Sequence, residues 1–250
     1  MSHAQPGEDL LTAGGDLAAG TVLAAYRAGA FPMGIGRHGA RPIGWWSPDP
    51  RGVLLPGDLR ISRSLTRSSR RFEIRVNTAF EEVIAGCADR RREGRWITDE
   101  IISVYRELHW LGWVHSVEAW RDGRLAGGLY GVMIGGLFAG ESMFYRESDA
   151  SKVALVGLVD RFLSSGAPAR MIDVQWQTPH LATLGVRDIP RADYLASPSP
   201  SAPAPTSYAV PPSSWSRTER SSRPVSRHQA GTSTRAASSS ARSRTVSASG

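Results

Sequence analysis

The spacing of apolar residues along the chain predicts four helices. In each of four stretches the apolar side chains recur every three or four residues, as one face of a helix requires. Asp16 stands where it can cap the first helix, and Gly29 and Pro32 end it. The inward-facing side chains are Leu17, Val22, Leu23 and Tyr26; Phe80, Val83 and Ile84; Ile101, Tyr105 and Leu108; and Leu155, Leu158, Val159 and Phe162.

From Val114 onward the spacing changes to that of β-strands. Three apolar runs are separated by Asp122-Gly123 and Gly135-Gly136, dipeptides that supply the positive φ angles of tight hairpins. This pattern predicts an antiparallel meander of three strands. The helix that begins near Asp149 follows it, and then come a strand at 171–175 and a short helix around 180–184.

The order meander, helix, strand is that of the N-acetyltransferase-like fold, in which two neighbouring strands splay apart. We therefore expect an α+β protein with an N-acetyltransferase-like core (antiparallel meander, helix, splayed strand), preceded by a small N-terminal α/β domain. The expected boundaries are a flexible N-terminus over 1–9, the small domain over 10–77 and the larger domain over 78–196. Residues 197–250 are rich in Ser, Pro, Ala and Arg and predict a disordered tail.

The net charge of +7 is a property of the tail, because seven arginines and one glutamate after residue 196 supply +6 of it. Any binding of nucleic acid by the rest of the chain must depend on local clusters. Two stretches are dense in arginine, and the first fits a solvated surface or phosphate contact equally well. They contain Arg60, Arg63, Arg67, Arg70 and Arg71, and Arg90, Arg91, Arg92 and Arg95.

Cysteine content and hydropathy exclude several classes of protein. Cys87 is the only cysteine, so the sequence predicts no disulfide framework and no cysteine metal site. The histidines have no metal-ligand spacing. No signal peptide and no apolar run of about 18 residues occur, so we expect a cytoplasmic protein with no membrane association.

Candidate chemistry lies in two stretches predicted to be strands. Glu141 interrupts the apolar run GGLFAGESMF, and the later strand carries Asp173 and Gln175 at alternate positions, which places them on one face. An unpaired charge is costly in a protein interior. The two acids therefore predict a polar pocket.

Several short motifs occur in order over about residues 10–196. They include GGDL (14–17), AYRAGAFP (25–32), WWSPDPRGVL (45–54), LFAGESMF (137–144), IDVQ (172–175) and IPRADYL (189–195). Together these motifs resemble the leucyl/phenylalanyl-tRNA–protein transferase family. Members transfer Leu, Phe or, less readily, Met from aminoacyl-tRNA to proteins with N-terminal Arg or Lys, which marks those proteins for N-end rule degradation. The resemblance implies an aminoacyltransferase that uses no metal and no organic cofactor, with the catalytic domain at 78–196.

The resemblance also implies roles for individual residues. Asp173 and Gln175 correspond to an Asp–Gln relay, in which the Gln carbonyl takes a proton from the attacking amine; a purely positioning role for both stays open. Glu141 corresponds to the family's pocket glutamate. Trp96 matches an aromatic position at the 3′-adenosine of tRNA, and Met33 stands where an aromatic residue is frequent. The two arginine clusters are candidates for the tRNA phosphates. The implied socket for the aminoacyl side chain consists of Leu129, Phe138, Leu155, Leu158, Phe162 and Ile172.

Two other functions are alternatives, and one feature of the sequence opposes each of them. An N-acetyltransferase would need a glycine-rich turn for the pyrophosphate of acetyl-CoA, but YRESDAS before the helix has two acids and no glycine. A non-catalytic module that binds tRNA or N-degrons is opposed by the presence of Glu141, Asp173 and Gln175. We expect a monomer.

Overall fold

A computed structural model of the protein describes residues 7–55, 57–92, 94–162 and 170–197. Within these ranges the chain forms an α+β structure of seven α-helices and two β-sheets. The helices are α1 (Ala19–Arg27), α2 (Arg63–Ser69), α3 (Phe80–Cys87), α4 (Asp99–Trp110), α5 (Ala150–Phe162), α6 (Pro179–Thr183) and α7 (Arg191–Ala196). The strands are β1 (Leu10–Ala13), β2 (Phe31–Gly34), β3 (Ile43–Trp46), β4 (Arg51–Leu54), β5 (Glu73–Val76), β6 (Val114–Arg121), β7 (Arg124–Ile134), β8 (Leu137–Tyr145), β9 (Met171–Gln175) and β10 (Arg187–Ile189).

The four predicted helices are confirmed as α1, α3, α4 and α5, and their predicted apolar residues are buried, except that Leu17 precedes α1 and is only partly buried. The predicted cap is wrong in position, because the N-cap of α1 is Ala18; Asp16 Oδ1 accepts a hydrogen bond from the Ala18 backbone N–H at 2.9 Å.

Helix α4 illustrates the local reasons. The Thr98 side chain accepts a hydrogen bond from the backbone N–H of Ile101, and Asp99 and Glu100 occupy the first turn. Both features favour a helix start at this position.

The predicted meander is confirmed as β6, β7 and β8, which pair in antiparallel fashion. Both turns contain the positive φ angles that their dipeptides predict, at Asp122, Gly123 and Gly135. The meander belongs to a seven-stranded sheet with the order β10-β4-β9-β8-β7-β6-β5. A smaller sheet has the order β1-β3-β2.

Strands β8 and β9 are the only parallel pair in the sheets described here, and their pairing is short. It joins Leu137–Ala139 to Met171–Asp173 and extends no further. Directly beyond it, Glu141 is an extra residue in β8, because Gly131 and Tyr130 of β7 pair with Gly140 and Ser142 on either side of it. Such a bulge redirects a side chain and interrupts pairing. The sheet therefore opens between β8 and β9 at the level of Glu141 and Gln175.

Two hydrophobic clusters cover the two faces of the large sheet. Adjacent residues of a strand point to opposite faces, and in β7 Tyr130 joins the cluster of α1, α3 and α4, whereas Leu129 joins that of α5. The opening between β8 and β9 is thus walled by packed secondary structure.

Some predictions are not tested by the structure, and some strands were not predicted. The division into domains at residues 77 and 78 stays a prediction. Residues 1–6 of the predicted flexible N-terminus and 198–250 of the predicted tail lie outside the described residues. Local spacing did not predict β1, β2, β3 or β5, since these strands are only four residues long.

Candidate active site

A cavity of about 260 Å³ lies at the opening between β8 and β9. Helix α5 contributes apolar side chains, and the segment at α6 closes one side. The cavity combines an apolar wall with polar side chains, among them Glu141 and Gln175. Its lining residues are Leu129, Phe138, Gly140, Glu141, Ser142, Met143, Leu155, Leu158, Ile172, Val174, Gln175, Thr178, His180 and Leu181.

Five of the six residues implied as the aminoacyl socket line this cavity: Leu129, Phe138, Leu155, Leu158 and Ile172. The sixth, Phe162, is fully buried behind it, with its ring centroid 6.0 Å from that of Phe138. Phe162 therefore supports the wall without forming its surface.

Asp173 does not line the cavity. Its side chain is wholly buried on the other side of β9 and forms a bidentate ion pair with Arg51. Arg51 Nε donates to Asp173 Oδ1 at 2.8 Å, and Arg51 Nη2 donates to Oδ2 at 2.6 Å. The Tyr194 hydroxyl donates to Oδ2 at 3.0 Å. Burial lowers the pKa of the Arg51 guanidinium, but the charge and hydrogen bonds of Asp173 outweigh this and hold that pKa above its ordinary value.

Gln175 is turned away from the face that simple alternation predicts. Its φ angle is +61°, and its backbone N–H donates to Asp173 Oδ1 at 2.9 Å. The side chain lines the cavity, and its buried Nε2 atom has no hydrogen-bond partner among the described residues. The prediction that Asp173 and Gln175 share one face is thus wrong, because the left-handed backbone at Gln175 redirects its side chain.

A glycine opposite Gln175 permits this conformation. Gly52 of β4 pairs with Gln175, and a Cβ atom at Gly52 would lie 2.7 Å from the backbone N of Gln177 and 2.9 Å from the carbonyl carbon of Trp176. These are backbone atoms, so a side chain at Gly52 would displace the end of β9.

Glu141 is half-buried at the cavity and is bound by two tyrosines. Tyr26 donates to Oε1 at 2.5 Å, Tyr105 donates to Oε2 at 2.9 Å, and the two hydroxyls are 2.5 Å apart. Burial raises the pKa of Glu141 to about 7, although the two tyrosine hydroxyls act in the opposite direction. The phenols have pKa values well above the ordinary one, chiefly through burial, and so remain donors near neutral pH.

The two residues implied at the 3′-adenosine lie at the small sheet and beside it. Met33 is half-buried in β2, and its carbonyl accepts a hydrogen bond from Trp46 Nε1 at 2.9 Å. Trp96 is partly buried against the core, and its backbone runs closely against Gly39, which follows β2 in the chain. The structure therefore brings the segments that carry Met33 and Trp96 to neighbouring parts of the molecule.

The first arginine cluster lies on and beside α2. Arg63 and Arg67 are one turn apart, on a helix that buries Leu65 and Ser68 instead. All five predicted members of this cluster are exposed. Among the described residues, none of the five forms a salt bridge with a carboxylate; they are Arg60, Arg63, Arg67, Arg70 and Arg71.

The second arginine cluster borders a wide cleft of about 750 Å³. Arg90, Arg91 and Arg92 line it together with Arg146 and Tyr145, whose side chain is 70% exposed. Only Arg91 of the cluster has a salt bridge in the part of the chain described here, at 2.7 Å from Asp89.

Arg95 connects this cleft to Trp96. It does not line the cleft, but its Nη1 atom donates to the carbonyl of Arg90 at 2.7 Å. In the sequence only Glu93 and Gly94 separate Arg95 and Trp96 from the arginines of this cluster that line the cleft.

Sequence reasoning missed four side chains of this site: Arg51, Tyr194, Tyr26 and Tyr105. One signal existed for Arg51, since a buried acid at Asp173 requires a cation, and an arginine opens the short strand after Pro50. The tyrosines gave no separate signal, because their apolar rings fit ordinary core positions. Among the described residues, no group of three or more His, Cys, Asp or Glu side chains could hold a metal ion.

The arrangement suits the placement of an apolar side chain next to a reacting carbonyl. The socket accepts the side chain, while Glu141 and Gln175 offer a group that titrates near neutral pH and an unpartnered amide. A proton acceptor with a pKa near the working pH is well suited to general base catalysis.

Known proteins match most of this chain. The family model described as leucyl/phenylalanyl-tRNA protein transferase matches residues 53–198, and the model of that protein's N-terminal domain matches residues 15–49. The leucyl/phenylalanyl-tRNA–protein transferase of Aromatoleum aromaticum is 53% identical over 193 residues, which cover 76% of this chain and 79% of the relative. The protein of the same name from Azoarcus sp. is 49% identical over 213 residues, with 84% and 87% covered. That from Escherichia coli is 48% identical over 188 residues, with 74% and 78% covered.

Proposed function

Because the chain belongs to the leucyl/phenylalanyl-tRNA protein transferase family, we propose that it transfers an amino acid from aminoacyl-tRNA to the N-terminus of an acceptor protein. The enzyme is an aminoacyltransferase. The donors are tRNAs charged with Leu, Phe or, less readily, Met, and the acceptors carry N-terminal Arg or Lys. The product is a protein marked for N-end rule degradation.

The observation that carries this proposal is the cavity between β8 and β9. Most of its lining is apolar, and Leu129, Phe138, Leu155, Leu158 and Ile172 form the wall of the socket. Discrimination by one methylene group is worth only about 1–3 kcal/mol in such a pocket. A socket of this kind accepts Leu, Phe and Met.

Glu141 and Gln175 would handle the acceptor amine and the ester. The amine attacks the ester carbonyl, a peptide bond forms, and the 3′-oxygen of the terminal adenosine leaves with a proton. An N-terminal ammonium has a pKa of about 7.7–8.0, so a carboxylate with a pKa of about 7 can accept its proton. Gln175 orients the reacting groups and assists with the proton, and Asp173 supports Gln175.

The tRNA would contact Trp96 and the two arginine clusters. Trp96, with Met33 nearby, receives the terminal adenosine, where base stacking contributes about 1–3 kcal/mol. Exposed arginines on and beside α2 and around the wide cleft supply phosphate contacts. Counterion release makes such contacts sensitive to salt, so transfer should weaken as salt rises.

We also assign the large sheet to the N-acetyltransferase-like fold. The confirmed meander, α5 and a β9 strand that pairs with β8 at one end only support this assignment. An acetyl-CoA-dependent activity is disfavoured by Glu147 and Asp149 before α5, where a pyrophosphate would need backbone N–H groups and no acids. No helix in the described ranges is long and apolar enough to cross a membrane. We propose a cytoplasmic monomer.

The test is transfer of radiolabelled leucine from charged tRNA to a model protein with N-terminal Arg, with an N-terminal Gly version of that protein as matched control. We expect label only in the Arg version, and none from labelled acetyl-CoA. Incorporation from acetyl-CoA would favour an N-acetyltransferase. Binding of charged tRNA without any transfer, by folded protein, would favour a non-catalytic binding module.

A further inference from the structure

We propose that Arg51 and Tyr194 are positioning residues that act on the reaction through Asp173 and the backbone of Gln175. This inference rests on the transferase activity proposed above. Neither residue lines the cavity, so neither is a candidate for direct contact with substrate.

Arg51 is buried and its guanidinium has contacts with several residues. Its exposed fraction is 0%, and its Nη1 atom donates to the carbonyl of Gly29 at 3.0 Å. The guanidinium carbon lies 4.4 Å from the ring centroid of Tyr194 and 5.3 Å from that of Phe31. With the two bonds to Asp173, these contacts fix the guanidinium plane.

A buried ion pair of this kind is weak evidence for stability, because well-packed apolar residues of similar volume are often as stable. The bidentate geometry offers something that an apolar pair cannot, since it fixes the orientation of a carboxylate. We therefore expect the role of Arg51 to be fixing the carboxylate of Asp173, which in turn binds another group.

Asp173 holds the backbone of Gln175. Its Oδ1 atom accepts from Arg51 Nε and from the Gln175 N–H, and its Oδ2 atom accepts from Arg51 Nη2 and the Tyr194 hydroxyl. A carboxylate has about four lone-pair sites, so these four donors occupy Asp173. It has no free site for a substrate proton, and its effect on the reaction must pass through Gln175.

The conformation of Gln175 needs such support. A φ of +61° is unusual for a residue with a side chain and persists where surrounding contacts impose it. In this conformation the side-chain amide, with its unpartnered Nε2, lines the cavity. The path of influence therefore runs from Arg51 and Tyr194 to Asp173, then to the Gln175 backbone and its amide.

The experiment measures kcat and KM for charged tRNA in variants of the full chain, at a temperature where each variant is folded. Arg51→Lys keeps the charge but loses the planar pair of donors, and we expect kcat to fall on the order of 100-fold. Tyr194→Phe keeps the ring beneath Arg51 and removes one donor, and we expect a fall of about tenfold in kcat. KM should change by less than about threefold in both.

Tyr130→Phe is the matched control. Tyr130 is a fully buried tyrosine in the same sheet, and its hydroxyl has no partner among the described residues. Removal of that hydroxyl should leave kcat and KM unchanged. A loss as large as that of Tyr194→Phe would mean that any buried hydroxyl matters and would overturn the proposal.

Two readouts separate positioning from a merely structural role. If Arg51 acts through Gln175, then Arg51→Lys should lower kcat no further in a Gln175→Ala background. Hydrogen exchange of the Gln175 backbone amide should also become faster in Arg51→Lys and stay unchanged in Tyr130→Phe. Additive losses of kcat, or unchanged exchange at Gln175, would overturn the positioning role while the proposed transferase activity stands. Absence of transfer by the unmodified protein would overturn that activity, and this inference with it.

Discussion

Two carboxylates lie on neighbouring strands of one sheet, and their surroundings differ in burial and in the presence of a cation. Asp173 in β9 is wholly buried and faces the guanidinium of Arg51. Glu141 in β8 opens to the cavity and has two tyrosine hydroxyls as partners, but no cation within salt-bridge distance among the described residues. Burial alone therefore does not determine what an acid can do.

The presence of the cation decides the chemistry of each group. The Arg51 charge cancels that of Asp173, and the pair behaves as a fixed, neutral support. Neutral hydroxyls cannot compensate the loss of water around Glu141, so the pKa of Glu141 rises to about 7. One acid is a support for the backbone, and the other can exchange a proton at neutral pH.

The largest effect should come from breaking the ion pair. Asp173→Ala leaves the Arg51 charge buried without a counterion, and we expect a loss of about 3–5 kcal/mol in the free energy of unfolding. Chemical denaturation measures this, and a transfer assay on the fraction that is folded should show loss of activity beyond any loss of tRNA binding.

Glu73→Ala is the control for this change. Glu73 and Arg75 form a bidentate pair like that of Asp173 and Arg51, with distances of 2.9 and 3.0 Å, but the pair is exposed to solvent. Its loss should cost at most about 1 kcal/mol. Equal losses in the two variants would show that burial of Arg51 does not set the cost.

A second, smaller effect concerns Glu141 and pH. The folded state raises its pKa from an ordinary value of 4.5 to about 7, so between these values the folded protein binds a proton that the unfolded chain releases. The contribution of Glu141 to stability is therefore fully present below about pH 4.5 and is lost as pH rises through about 7. By the size of that shift, the fall is at most about 3 kcal/mol. Glu141→Gln should remove it.

The measurement is the free energy of unfolding of both proteins from pH 4.5 to 8. The difference between them isolates Glu141, because all other titrating groups are shared. As pH rises, the free energy of unfolding of Glu141→Gln should increase relative to that of the unmodified protein. The transfer activity of the variant should be lower than that of the unmodified protein. A difference that is constant with pH would show that Glu141 does not titrate in this range.

The turns of the meander and the position of Glu141 could both be predicted from the sequence, whereas the partners of the two acids could not. The meander was predicted because its turns depend on adjacent residues, Asp122-Gly123 and Gly135-Gly136. The position of Glu141 in an apolar run was equally visible. Both features depend on adjacent residues, so they can be predicted without knowledge of the tertiary structure.

The partners of the two acids were not predictable in this way. Arg51 lies 122 residues from Asp173 along the chain, and Tyr26 lies 115 residues from Glu141. The pairing of β4 with β9 brings Arg51 to Asp173, and the position of α1 on the large sheet brings Tyr26 to Glu141. The left-handed turn at Gln175 is likewise invisible to strand alternation, since the residue type does not favour it.

The smallest effect should follow removal of one hydroxyl from Glu141. Tyr105→Phe keeps the ring but deletes the donor to Oε2, while Tyr26 still binds Oε1. Because hydroxyl donors favour the ionised carboxylate, their loss raises the pKa of Glu141, and the midpoint of the pH–activity profile should move to higher pH. The free energy of unfolding at pH 8 should fall by about 1 kcal/mol.

Rates of leucine transfer from pH 5.5 to 9 measure the midpoint, with Tyr130→Phe as the unshifted control. A midpoint that moved to lower pH would mean that the tyrosines hold Glu141 in its protonated form, and the contrast with the ionised Asp173 would then rest on the hydroxyls as well as on Arg51.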